Sequence, residues 1–222
     1  RARRQRAGSD RHGKARTDLG LGSALLAAGR AGEARGRLVA AANGFNAGGD
    51  ERGYAAALTN LVVAEWAAGQ RLDAANTAIK AIEVGRSAGD LAAEAAAALN
   101  AGALLLAAAR PDPLRAREHL ARSLALRAAA GPTAGGRGRA LLYLGDAAMA
   151  LRGPVPARYR WRAAAVACGL VGDEAGERAA HSRLAALDTV LDTVAEPQPA
   201  GQPVPSQPVP SPVGETRVSV VM

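Results

Sequence analysis

The sequence predicts an all-α protein built from stacked helical hairpins, and two observations lead to this prediction. Of the 222 residues, 49% are hydrophobic but only 3% are aromatic, so the apolar residues are largely Ala and Leu, which favour helices. A pair of residues, Leu or Ala followed by Gly or Val, also recurs in steps of 40, 40 and 43 residues, as Leu21-Gly22, Leu61-Val62, Ala101-Gly102 and Leu144-Gly145. Such a unit buries its apolar face only by stacking on copies of itself, as in a solenoid.

The first two hairpins are defined by short turns and by apolar residues on one helix face. We predict helices from about Arg16 to Gly29 and from Gly32 to Ala47, joined by a turn too short for anything but antiparallel neighbours. The second helix has an apolar face at helical spacing, formed by Ala34, Leu38, Ala41 and Phe45. The second hairpin is predicted over residues 52–68 and 72–87, with Leu72, Ala75, Ile79 and Ile82 on one stripe.

Two further hairpins and a single helix complete the array. The third hairpin covers about 91–109 and 113–130, because Asp112-Pro113 reads as an N-cap followed by proline at the first helical position. The fourth covers about 137–152 and 156–170, after a Gly-rich connection that accounts for the step of 43. The four hairpins thus occupy residues 16–173. A last helix, 174–194, has one apolar face and one polar face that is expected to contact solvent, which is typical of a solenoid cap.

The two ends of the chain differ in composition from the array. Residues 1–15 form a basic N-terminal arm or linker, and the whole chain carries a net charge of +8. Clustered arginines neutralise phosphates without reading a base sequence, so this arm makes nucleic acid an alternative partner. Residues 195–222 hold a Pro-rich run, QPVPSQPVPSP, which predicts a disordered or polyproline-like tail that serves as a spacer or as a ligand.

Catalytic and cofactor motifs are absent from the sequence. His12, His119 and His181 lie far apart without metal-ligand spacing, and neither GxxxxGK[ST] nor GxGxxG occurs. We therefore expect no catalytic residue, no cofactor and no metal. The single cysteine, Cys168, excludes an internal disulfide, is expected to be buried, and fits a reducing cytoplasm. The apolar stretch from Ala95 to Ala109 is too short to span a membrane.

The repeat resembles the tetratricopeptide family, and its clearest copy is ALTNLVVAEWAAGQRLDAANTAIKAIE, from Ala57 to Glu83. Its period near 40, rather than about 34, is similar to that of arrays in large bacterial signal-transduction ATPases and regulators and of the kinesin light chain type. The resemblance covers residues 16–194. It implies a right-handed superhelix whose first helices line a concave groove.

The register of the resemblance assigns partner-binding groove residues, which are Asn60, Val63, Trp66, Asn100, Ala103, Arg139, Tyr143 and Asp146. Asn60 and Asn100 occupy equivalent places, where an amide either bonds a peptide backbone or braces neighbouring helices. Trp66 is either a binding contact or core, whereas Trp161 is expected to fill space between hairpins.

The resemblance implies a non-catalytic interaction module. The expected role is that of a scaffold or a regulatory or sensor array, which holds a protein, a peptide or helix, or another domain of the same parent chain. The alternative is a nucleic-acid-associated regulator that binds through the N-terminal arm.

Overall fold

The computed structural model describes the backbone of residues 2–129, 131 and 135–195, and the side chains of residues 10–129, 131 and 135–191. Within these residues the chain forms nine α-helices and no strand. The helices are α1 (Ala2–Ala27), α2 (Ala31–Gly48), α3 (Glu51–Ala67), α4 (Arg71–Ser87), α5 (Leu91–Ala107), α6 (Pro113–Ala129), α7 (Arg137–Arg152), α8 (Pro154–Gly169) and α9 (Glu174–Ala195). None of the described helices is both long enough and apolar enough to cross a membrane.

The helices stack in the order of the chain and form two layers. Each helix packs on the next, and α1, α3, α5, α7 and α9 also contact one another in sequence. Among the described residues, no contact joins one even-numbered helix to another. Because the odd-numbered helices approach while the even-numbered helices spread apart, the array curves with the odd-numbered helices on its inner side. The predicted α-solenoid is confirmed.

The recurring Gly-Asp pair ends one helix and begins the next. Gly49 has φ of 70°, a left-handed conformation that residues with a Cβ rarely adopt, and it terminates α2. The following Asp50 caps α3, because its Oδ1 accepts the Gly53 N–H over 2.9 Å. The pairs Gly89-Asp90 and Gly172-Asp173 repeat this arrangement before α5 and α9. The motif therefore marks the boundary between hairpins.

The small residue of the recurring pair makes room for a large side chain on the partner helix. A Cβ placed on Gly22 of α1 would lie 2.6 Å from Cγ of Leu38 on α2. In the third hairpin, a Cβ on Gly102 would lie 2.5 Å from Cγ of Leu120. Both leucines are fully buried. The repeat thus encodes a close helix–helix contact at one register position.

The other two hairpins vary the same contact. In the fourth hairpin, a Cβ on Gly145 would overlap Cδ1 of Trp161. In the second hairpin the sizes are exchanged, because Val62 and Ala78 occupy the positions that Gly and Leu hold elsewhere, and both are buried in the same core cluster. One large and one small side chain fill the position in every hairpin. Trp161 is buried, which confirms its predicted space-filling role.

Both ends of the array differ from the sequence-based boundaries. Helix α1 begins at Ala2 instead of Arg16, so residues 2–15, predicted as an arm or linker, form its first turns. The last turn of this segment packs on α2: Ala15 is buried where Gly44 of α2 leaves room for it, and the His12 ring lies edge-on to Phe45 with centroids 5.6 Å apart. At the other end, α9 continues to Ala195, and the remainder of the predicted Pro-rich tail, residues 196–222, lies outside the described residues.

Candidate functional site

Six of the eight predicted groove residues line one depression between α3, α5 and α7, which we call the inner groove. They are Val63 and Trp66 from α3, Asn100 and Ala103 from α5, and Arg139 and Tyr143 from α7. Each pair is three or four residues apart, so both members lie on one helix face. Val62, Leu104 and Ala107 complete the wall, and the groove has a volume of about 290 Å³.

The two equivalent asparagines connect neighbouring inner helices. The amide of Asn60 donates to the Ser23 hydroxyl over 2.9 Å, and that hydroxyl donates to the Leu19 carbonyl over 2.9 Å. The amide of Asn100 donates to the Thr59 carbonyl over 3.3 Å. Both residues therefore brace adjacent helices, which is one of the two roles expected for them. Asn60 does not line the inner groove, because its amide is directed to α1.

Asn100 keeps hydrogen-bonding capacity for a ligand. An amide side chain has two N–H donors and one carbonyl acceptor. Only one donor of Asn100 is used, and within the described part of the chain its Oδ1 accepts no hydrogen bond. Since Asn100 also lines the inner groove, its free carbonyl is the polar group that a bound backbone N–H can reach.

Arg139 lines the groove with its charge already compensated. Its Nε and Nη2 donate to the two carboxylate oxygens of Asp173 over 2.7 and 2.9 Å. The hydrogen bond to Asp173 raises the pKa of Arg139, and the same bond lowers the pKa of Asp173. Because Asp173 also caps α9, the pair fixes α7 to the last helix. Arg139 therefore lines the groove as a paired side chain and does not offer it an unpaired positive charge.

Asp146 does not line the inner groove, in contrast to its predicted place there. Its Oδ1 accepts hydrogen bonds from Trp161 Nε1 over 3.0 Å and from Arg183 Nε over 2.6 Å. Its Oδ2 accepts a third from Arg183 Nη2 over 2.8 Å. The carboxylate is thus engaged by α8 and α9. The two bonds from the Arg183 guanidinium on α9 are charge-assisted and therefore stronger than the bond from the neutral indole on α8.

Trp66 is shared by the inner groove and by a second depression, the side groove. The side groove lies between α4, α5 and α6, has a volume of about 380 Å³, and is mostly aliphatic. Its wall on α4 includes Leu72, 75% exposed, and Ile79, 50% exposed. The guanidinium of Arg71 lies 5.3 Å from the Trp66 ring centroid, a cation–π contact. Trp66 is therefore partly exposed and accessible from two sides.

The sequence analysis does not predict the side groove, although the apolar stripe of α4 contains residues that line it. The stripe Leu72, Ala75, Ile79 and Ile82 predicts a packed face of α4. In the structure only Ile82 of these four residues is buried. An apolar stripe longer than the face that packs leaves aliphatic surface exposed, and a large exposed patch marks an interaction surface.

The thiol of Cys168 lines neither groove. Cys168 is a free, buried thiol, as predicted, and burial raises its pKa. In the part of the chain that the structure describes, no group of three or more His, Cys, Asp or Glu side chains is arranged to hold a metal ion. The lining of the inner groove, apolar side chains beside the Asn100 amide, offers apolar contact and hydrogen bonding.

Fold and grooves together define the chain as a helical-repeat protein, an α-solenoid. No protein-family model matches it, and no curated protein matches it. Among solved structures, the crystal structure of BtubC (BKLC) from P. vanneervenii is similar, with a TM-score of 0.46 and 12% sequence identity. That match covers 95% of this chain and 99% of the BtubC chain. At this level, the similarity says nothing about the partners or activity of this chain.

Proposed function

We propose that this chain is a non-catalytic interaction module of the long-period tetratricopeptide type, which binds a peptide or a helix of a partner protein in its inner groove. The observation that supports it best is that three consecutive inner helices contribute to one groove. These helices bring Trp66, Asn100 and Tyr143 into a single wall, although the three residues are far apart in sequence.

The lining of the inner groove suits an extended peptide or one face of a helix. Val63, Ala103 and Leu104 offer aliphatic contact, and Trp66 and Tyr143 add the aromatic side chains that dominate binding energy at many interfaces. The free Oδ1 of Asn100 can accept a backbone N–H. Arg139 is paired with Asp173, so the groove does not require an acidic ligand.

The tetratricopeptide assignment rests on the repeat and on its packing. Hairpins recur at about 40 residues, three of the four bring a glycine of the first helix against a large side chain of the second, and the first helices form the inner layer. These features support the family expected from the sequence. They also favour a ligand site on the first helices, where the groove residues lie.

A peptide-display selection on the whole chain tests the proposed function. The affinity of a selected peptide is then measured by calorimetry for the wild type, Tyr143→Ala and Tyr159→Ala. Tyr159 is an exposed tyrosine on α8 outside the inner groove and serves as the matched control. We expect Tyr143→Ala to weaken binding about tenfold or more, as loss of a contact worth about 1.4 kcal/mol would, and Tyr159→Ala to leave it unchanged.

The opposite outcome contradicts the inner-groove assignment. Peptides that bind both variants equally well would place the interaction elsewhere on the array. A parallel titration with a single-stranded oligonucleotide tests the nucleic-acid alternative, and binding that falls steeply with salt would favour it. Circular dichroism of each variant confirms that the helices are retained before affinities are compared.

A further inference from the structure

Three arginines from three consecutive helices meet at one cavity, and none of them lines the inner groove. Arg117 of α6, Arg152 of α7 and Arg160 of α8 line this arginine cavity, whose volume is about 180 Å³. Leu144, Ala148 and Leu151 form its apolar lining. We propose that the arginine cavity binds a phosphomonoester dianion.

The charges of the cavity arginines are uncompensated. Eight other arginines in the described residues form ion pairs with carboxylates, namely Arg30, Arg37, Arg86, Arg122, Arg139, Arg158, Arg178 and Arg183. Across the same described residues, no ion pair involves Arg117, Arg152 or Arg160, and no acidic side chain lines the cavity. Three like charges around one small volume repel one another, so an anion bound between them is favoured.

Two of these arginines lie next to buried residues of the helix cores. Arg117 follows Ala116, which is fully buried, and Arg160 precedes the buried Trp161. Both arginines are partly buried themselves. One nitrogen of Arg160, Nη1, donates to the Pro156 carbonyl over 3.4 Å, and its other donors remain open. A site whose donors are positioned before binding loses less entropy when the ligand arrives.

Arg152 completes the cavity at its exposed side. It is the last residue of α7, where the helix dipole favours a cation without using the guanidinium hydrogens. Its side chain is exposed, so an anion can approach from solvent on that side. The cavity therefore combines two partly buried arginines with one exposed arginine.

The number and type of donors indicate the chemical class of the ligand. A guanidinium binds carboxylate and phosphate oxygens as a planar fork. A phosphomonoester has three terminal oxygens and a charge between about −1.5 and −2 at neutral pH, which complements three guanidinium groups better than a carboxylate does. Leu144 and Leu151 offer apolar contact to the ester substituent. A phosphorylated side chain and a free phosphorylated metabolite share this chemistry.

The test is a calorimetric titration of the whole chain with phenyl phosphate in a phosphate-free buffer. The variant Arg117→Gln/Arg160→Gln removes two cavity arginines. The control Arg115→Gln/Arg162→Gln removes two exposed arginines from the same two helices, so both variants lose the same charge. We expect the cavity variant to bind at least about tenfold more weakly and the control to bind as the wild type does.

Further probes separate the outcomes. Arg160→Lys keeps the charge and the fold but loses the planar fork, and it should also weaken binding. Tighter binding of a phosphotyrosine peptide than of phenyl phosphate would assign the site to phosphorylated side chains, whereas binding of phenyl phosphate at least as tight as that of the peptide would assign it to free phosphorylated metabolites. Binding of inorganic phosphate as tight as that of phenyl phosphate would contradict the contact with the ester substituent and overturn the proposal. Absence of binding, equal weakening in the control variant, or equal binding of a phosphodiester would overturn the proposal.

Discussion

The indole Nε1–H of Trp161 donates a hydrogen bond to Oδ1 of Asp146 over 3.0 Å. The same carboxylate accepts two hydrogen bonds from the guanidinium of Arg183, over 2.6 and 2.8 Å. Asp146 lies on α7, Trp161 on α8 and Arg183 on α9. One carboxylate thus joins the last three helices of the solenoid. Together with the Arg139–Asp173 pair, this contact holds α9, the last of the described helices, against α7.

Substitution Asp146→Ala should lower the free energy of unfolding by about 2–4 kcal/mol, because it leaves the buried Trp161 N–H and a partly buried guanidinium without an acceptor. Urea unfolding followed by circular dichroism measures the loss. The matched control is Asp188→Ala, which removes the half-exposed pair with Arg158 and should change stability by less than about 1 kcal/mol. Equal losses in the two variants would contradict the role assigned to Asp146.

The place of Asp146 also shows where reasoning from the sequence ends. Periodicity assigns each residue to a helix face, and the register of the family resemblance puts Val63, Ala103 and Tyr143 on the faces that line the inner groove. It does not show which side chains from other helices reach that face. Arg183 lies 37 residues from Asp146 in the chain, and the repeat contains nothing that predicts their contact.

The order of the hairpins can be predicted from the sequence, whereas the arginine cavity cannot. The recurring pair of residues marks one register position in every hairpin, and in three of them its glycine faces a large side chain of the partner helix, so the repeat period predicts the order of the helices. The cavity depends on how far α6, α7 and α8 are offset from one another, which spacing does not encode. The positive charge of residues 1–15 predicts an arm or linker. In the structure, however, residues 2–15 belong to α1, and Ala15 is buried.

The contact between Gly102 and Leu120 predicts a destabilising substitution. Gly102→Ala places a methyl group within 2.5 Å of Leu120 Cγ, so the two helices must separate or Leu120 must leave its rotamer. We expect a loss of about 1–3 kcal/mol in the free energy of unfolding. Gly36→Ala is the matched control, since Gly36 is an exposed helical glycine and a methyl group added there would meet no atom within 4 Å. In that control the free energy of unfolding should rise by up to about 1 kcal/mol.

The second hairpin suggests how the Gly102 substitution can be rescued. It carries Val62 and Ala78 where the third hairpin carries Gly102 and Leu120. The double variant Gly102→Val/Leu120→Ala copies that arrangement and should be more stable than the sum of the two single effects predicts, by about 1–3 kcal/mol. A thermodynamic cycle from four urea curves measures this coupling. Strict additivity would mean that the two positions do not pack against each other.

Glu65 predicts a pH dependence of stability. Its side chain is only 5% exposed, and Oε2 has no partner among the described residues. Burial raises the pKa of Glu65 above its ordinary value of 4.5; Asp73 adds to the increase, and Thr77 and Arg35 oppose it. The folded state therefore holds the proton more tightly than the unfolded state. The contribution of Glu65 to stability falls as the pH rises from 4.5 through the folded pKa.

Comparison with Glu65→Gln isolates this contribution. The amide keeps the shape and never ionises, so the variant should be more stable than the wild type above the folded pKa of Glu65. Its advantage should shrink as the pH falls towards 4.5. Melting temperatures of both proteins across this range measure the difference. A difference that does not vary with pH would show that the carboxylate is not the cause.

Cys168 provides a chemical probe of the same end of the solenoid. Its side chain is fully buried, and a Cβ on Gly138 or Gly176 would overlap its sulfur, so α7 and α9 close over the thiol from both sides. Burial also raises the pKa of Cys168, which reduces the fraction of reactive thiolate. We expect an aromatic disulfide reagent to label the native protein only as fast as this end opens, and Asp146→Ala to accelerate labelling at the same pH. This packing would be contradicted if the reagent labelled the wild type as fast as the urea-unfolded chain. Unchanged labelling in Asp146→Ala would show that the contact of Asp146 with Trp161 and Arg183 does not control the opening of α9.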